Sequence, residues 1–181
     1  SATQTACLPG SYQPSFGQEY CLSADPGHYV DSVGSIEQTE CPLGSWSSGY
    51  GSIQCTETGM GHYTPSNGSV QQIPCSVGSW NNLTGQTECF DASPGHYVPS
   101  EGSTIQYPCQ NGTYQPQGGQ SYCVESSPGH YVNISAAIQQ NACLPGTFQP
   151  SYSQSHCIQA APGYYVPDSG ADNQTAASIG Y

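Results

Sequence analysis

The segment CLPGSYQPSFGQEYCLSADPGHYV, residues 7–30, contains the plan of the whole chain. It opens two halves in one register: Cys7, Gly10, Tyr12 and Gly17 are answered, at the same spacings, by Ala24, Gly27, Tyr29 and, just beyond the segment, Gly34. Beyond this segment the first glycine returns at a constant interval, at Gly44, Gly61, Gly78, Gly95, Gly112, Gly129, Gly146, Gly163 and Gly180. Two positions after each of the first ten stands an aromatic: Tyr12, Tyr29, Trp46, Tyr63, Trp80, Tyr97, Tyr114, Tyr131, Phe148 and Tyr165. A second glycine follows the first at a fixed offset, from Gly17 to Gly170, and is replaced only by Ala136 and Ser153. Self-similarity at a fixed short period marks a linear array of small units.

Two kinds of unit alternate. One reads Cys-x-x-Gly-Ser/Thr-aromatic, as in Cys7 to Tyr12 and Cys143 to Phe148. The other reads Pro-Gly-His-Tyr-Val, as in Pro26 to Val30, Pro94 to Val98 and Pro128 to Val132. Where the first unit has its two cysteines, the second has a small residue and a glutamine: Ala24 with Gln38, Ala92 with Gln106, Ala160 with Gln174. The resulting 34-residue double repeats run 7–40, 41–74, 75–108, 109–142 and 143–176, after a lead-in at 1–6. Residues 177–181 open a degenerate unit or cap.

Two cysteine pairings fit the spacing. One closes the short loops: Cys7–Cys21, Cys41–Cys55, Cys75–Cys89, Cys109–Cys123 and Cys143–Cys157. The other joins Cys21 to Cys41 and onward, which asks for a cysteine at position 177, an alanine here. The short-loop pairing leaves no orphan thiol and is favoured. The alternative frees Cys7 and Cys157 to link neighbouring subunits. Each short loop contributes about 3 kcal/mol in the chain-entropy model of disulfide stabilisation.

The punctuation sets the local structure. Pro-Gly pairs place glycine where a type II turn needs positive φ. Segments such as His28-Tyr29-Val30 then read as strands of roughly three to five residues. No 3.6-residue apolar period survives between the turns, which leaves little or no helix. The expected fold is all-β and irregular: an elongated, disulfide-stapled array of 17-residue β-hairpin units.

Composition agrees. The chain has 181 residues, 12 Asp and Glu, and no Lys or Arg. A formal charge of −12 excludes nucleic-acid binding through phosphate neutralisation and excludes a polybasic membrane anchor. Leu, Ile, Val and Phe are scarce, and such scarcity in a strongly charged chain signals disorder. Ten cysteines point instead to stapling in an oxidising compartment, hence to a secreted or cell-surface protein. Five sequons, at Asn67, Asn82, Asn111, Asn133 and Asn173, are candidate N-glycosylation sites. The sequence shows no leader, initiator Met or apolar run of membrane-spanning length, so a mature form or a segment of a longer protein is expected, with no direct membrane insertion.

With Cys-x-x-Gly-x-Tyr and the 14-residue cysteine step in view, the chain resembles the ephrin-receptor-like and tumour-necrosis-factor-receptor-like cysteine-rich repeats, from Cys7 to Val166. The resemblance implies a short disulfide loop beneath a Gly-x-Tyr strand, and an extracellular setting. Those modules usually carry more cysteines per repeat, whereas here every second unit has none. Similar thinned arrays occur in long secreted surface and fibre proteins, including the flagellar-hair proteins of algae and other protists.

Chemistry has little footing. His28, His62, His96 and His130 share one phase, with Tyr164 in that place in the last repeat; a full double repeat apart, they read as strand residues rather than as one metal site. No Cys-x-x-Cys suggests zinc, and no Asp-rich loop suggests a calcium hand, though weak calcium bridging between subunits is compatible with the acidic surface. Nucleophile elbow, His-Glu-x-x-His and phosphate loop are all missing, so no enzyme is expected. The phased aromatics read as buried pins, one per unit; Tyr20, Tyr50, Tyr107, Tyr122 and Tyr152 lie off that phase and read as exposed contacts.

The leading expectation is a structural subunit of a glycosylated extracellular filament or surface layer that assembles head to tail with copies of itself, a contact that propagates when it does not close. Other surface proteins or glycans are further candidate partners. The alternatives are a ligand-binding ectodomain of a receptor or adhesin, and a passive cell-surface stalk. The stretch from Asp168 to Tyr181 reads as a cap or an exchange strand.

Overall fold

The computed structural model describes residues 5–178. Among them there is no helix; ten two-stranded antiparallel hairpins follow one another along the chain. Strand β1 (Ser11–Tyr12) pairs with β2 (Leu22–Ser23) in the register Ser11 to Ser23 and Tyr12 to Leu22. The same pairing returns hairpin by hairpin as far as β19 (Tyr164–Tyr165) and β20 (Thr175–Ala176). The protein is a disulfide-stapled, all-β repeat array. Ser1–Gln4 of the lead-in and the last three residues of the 177–181 cap, Gly180 among them, lie outside the described residues.

Each strand is two residues long, shorter than the sequence suggests. The cause is a competing demand on the backbone. Gly10 turns the chain just before β1, and the N–H of Gln13, just after it, donates to Ser35 of the next hairpin at 3.0 Å. Ladder groups are diverted outward before a third residue can pair.

The chain divides into two compact units: Ser1–Cys75 with Trp80–Phe90 and Glu101–Thr104, and Ser76–Ser79 with Asp91–Ser100 and Ile105–Tyr181. In the first, neighbouring hairpins are joined by three recurring backbone bonds. Gly27 donates to Ser47 O (2.7 Å), Val30 to Ser52 O (2.9 Å), and Gly51 back to Ala24 O (2.7 Å). In the second, the same set reads Gly95 to Gln115 O (2.7 Å), Val98 to Gln120 O (2.9 Å) and Gly119 to Ala92 O (2.8 Å). The backbone polar groups that two-residue strands leave unpaired are thus satisfied by the next repeat.

A further approach explains the first glycine. Gly27 has φ +81°, and a Cβ built on it would run into the carbonyl of Gly68, two hairpins further on. At this glycine, therefore, like approaches like, a disulfide-closed hairpin at Gly10 and Gly51 and a glutamine-bearing one at Gly27 and Gly68, while the backbone bonds join hairpins of opposite kind. At the second turn Ala136 (φ +56°) and Ser153 (φ +57°) keep the left-handed conformation of the glycines they replace.

The interior is made of small and medium-sized residues, with no aromatic ring among the described residues that are buried. Ala24, Cys41, Thr58, Cys75, Ala92, Cys109, Ser126 and Cys143 share one buried phase, and Val30, Thr64, Asn81, Val98, Gln115, Val132 and Gln149 another. The phased aromatics are not buried pins. Most are half-buried and Tyr165 is 49% exposed. With backbones in direct contact at the centre there is no room for a ring. Each aromatic lies instead beside its cross-strand partner, as Trp80 does with Phe90 and Tyr97 with Tyr107, ring centroids 6.0 and 5.8 Å apart.

Candidate assembly and modification surface

Five disulfides close the short loops: Cys7–Cys21, Cys41–Cys55, Cys75–Cys89, Cys109–Cys123 and Cys143–Cys157, with Cα atoms 5.7 to 5.8 Å apart. No cysteine is free among the described residues, so the pairing that leaves Cys7 and Cys157 as linkers is not adopted. Such a set of bonds belongs to an oxidising compartment. Inside the loops of Cys7, Cys109 and Cys143, an amide spans the gap. Gln13, Gln115 and Gln149 donate Nε2–H to the carbonyls of Tyr20, Tyr122 and His156 at 2.7, 2.9 and 2.8 Å.

The hairpins without cysteine are also stapled. Gln38, Gln72, Gln106, Gln140 and Gln174, at the place of the second cysteine, each accept through Oε1 the backbone N–H of Asp25, Gly59, Ser93, Ser127 and Ala161. The distances are 2.7 to 2.8 Å in every repeat. Sequence reading registered these glutamines as a pattern and missed their role. The available signal was their strict recurrence at the cysteine phase.

The histidines are built into their turns. Nδ1 of His28, His62, His96 and His130 lies 3.0 to 3.3 Å from the carbonyl oxygen two residues earlier, of Pro26, Met60, Pro94 and Pro128. With that carbonyl as acceptor, Nδ1 carries the proton and the ring is held in one orientation. No three His, Cys, Asp or Glu side chains converge as a metal-binding group among the described residues.

The outer surface carries the remaining candidates. The five sequon asparagines, Asn67, Asn82, Asn111, Asn133 and Asn173, are exposed. Among the off-phase tyrosines Tyr20, Tyr50, Tyr122 and Tyr152 are 61 to 74% exposed, and all four belong to disulfide-closed hairpins; Tyr107 is 42% exposed, beside Tyr97. Sequence reading overlooked Phe16, wholly exposed beside the second turn of the first hairpin. No helix among the described residues is long and apolar enough to cross a membrane.

No protein-family model matches this chain, and no curated protein is significantly similar to it.

Proposed function

We propose that this chain is a structural, non-enzymatic subunit of a glycosylated extracellular filament or surface layer, assembling head to tail with copies of itself. The observation that carries the reading is the junction between hairpins. It is formed by backbone groups in the same three-bond pattern from repeat to repeat, so the chemistry that adds one hairpin to the last can add another chain. Absence of Lys and Arg supports it too, because a chain without trypsin-type cleavage sites suits a durable exposed fibre. Membership of the ephrin-receptor-like and tumour-necrosis-factor-receptor-like modules is part of the same proposal, resting on the Cys-x-x-Gly-x-aromatic phase. Calcium bridging between acidic surfaces is its one proposed ionic component.

A second reading, the ectodomain of an adhesin, draws on the exposed tyrosines of the disulfide-closed hairpins, which are suited to contact another surface. Electron microscopy of the native, unreduced protein separates the two. Uniform filaments with an axial repeat are expected. Dispersed single particles at every concentration and salt would sink the filament and leave the adhesin.

A further inference from the structure

A notch of about 340 Å³ opens between the second and third hairpins, lined by Tyr29, Pro42, Ser45, Gln54, Cys55 and Glu57. The lining combines an aromatic ring, a proline and a disulfide with a hydroxyl, an amide and a carboxylate. A pyranose calls for that mixture: its C–H face packs on an aromatic ring, and its hydroxyls and acetamide take the polar groups.

The sequon Asn67 is tethered to the backbone next to Pro42, one of the residues that line this notch. Its Oδ1 accepts the backbone N–H of Leu43 at 3.0 Å, and the N–H of the following Gly68 donates to Cys41 O at 2.8 Å. The two bonds straddle Pro42, a wall of the notch, and Gly68 is held from its other side by the close approach of Gly27. With Oδ1 engaged, the amide has one orientation, and Nδ2 is the atom to which an N-linked sugar is joined. A sugar on an ordinary exposed asparagine swings freely. One attached here starts from a base tied to the backbone on either side of Pro42.

We infer that the first N-acetylhexosamine of a glycan on Asn67 is seated in this notch, packed against Tyr29 and Pro42 with Gln54, Ser45 and Glu57 as its polar partners. The inference rests on the glycosylated reading proposed above. It makes this glycan part of the junction between hairpins rather than a solubilising appendage.

The test uses the whole chain secreted from a eukaryotic host, with glycopeptide mass spectrometry to establish occupancy and an endoglycosidase to leave one sugar per site. In the NMR spectrum the acetamido methyl of the Asn67 sugar is expected upfield of the others, shifted by the Tyr29 ring, with an Overhauser contact to it. Ser69→Ala abolishes the sequon while keeping the Asn67 side chain, and is expected to lower Tm by about 2–4 °C. The same substitution in unglycosylated protein measures the lost Ser69 to Ser66 O bond, 2.6 Å, and the difference between the two shifts belongs to the sugar. An occupied Asn67 whose methyl coincides with the rest, or an Asn67 left bare while other sequons are filled, overturns the seat. A chain secreted with no sugar at any sequon overturns the glycoprotein reading itself.

Discussion

The side-chain carbonyl of Gln106 accepts the backbone N–H of Ser93 at 2.7 Å, bridging the two limbs that a disulfide ties in the hairpins before and after it in the chain. One fold position is thus closed covalently in one repeat and by an amide in the next. Gln106→Ala is expected to cost about 1 kcal/mol, the net worth of one hydrogen bond. The double change Ala92→Cys with Gln106→Cys is expected to form a sixth disulfide and raise stability by about 2–3 kcal/mol. Denaturant melts of the two variants, with a thiol count, check both; a free thiol pair in the double variant would show that the two hairpin types differ in geometry.

The glycines of the two turns respond differently to a methyl group. Gly27→Ala combines a left-handed φ with a collision against the Gly68 carbonyl and is expected to cost about 3 kcal/mol or more. Gly17→Ala, at φ +72° with open space around it, meets only the conformational cost of about 1–2 kcal/mol. Equal losses in urea melts would refute the close approach as the reason for the first glycine.

Ala136→Gly and Ser153→Gly relieve the only two positive-φ residues that are not glycine among the described residues. Relief of about 1–2 kcal/mol exceeds the roughly 0.5–1 kcal/mol of added freedom in the unfolded chain. Each variant is expected to gain about 0.5–1 kcal/mol, read from the denaturation midpoint.

Reduction separates two kinds of protease resistance. The unreduced chain is expected to survive chymotrypsin despite 14 Tyr, 3 Phe and 2 Trp, because its loops are tied at both ends. After reduction and alkylation it is expected to fall to chymotrypsin yet remain whole in trypsin, since it contains no Lys or Arg. Survival of the reduced chain in chymotrypsin would mean that the glutamine staples and backbone junctions suffice without sulfur.

Self-association is expected to grow with ionic strength. Subunits bearing 12 carboxylates and no Lys or Arg repel one another across a Debye length of about 30 Å at 0.01 M salt and about 8 Å at 0.15 M. Sedimentation velocity across that range should show larger species at higher salt. The opposite trend would point to a contact made by charged groups and not by backbone.

The spacing of Cys7, Gly10, Tyr12 and Gly17 was enough to read the array, its alternation and the absence of helix among the described residues. It was not enough to place the aromatics, because burial depends on how closely neighbouring repeats approach. Gly27 touches Gly68 only through the path of the backbone between them. The asparagine tether of Asn67 to Leu43 is likewise a contact between repeats that no local pattern announces. The glutamine staples were closest to being read: their phase was plain, and only the backbone N–H they accept was hidden.

The junction bonds link Gly27 to Ser47, Val30 to Ser52 and Gly51 to Ala24 through main-chain atoms alone, and so are blind to what the side chains are. Duplicating or deleting one double repeat in the coding sequence would leave every remaining joint chemically the same, whereas an insertion that is not a whole number of 17-residue units would misalign the glycines that let backbones touch. Length in such a molecule is quantised, and a lineage can lengthen or shorten it in whole steps without redesigning the fold.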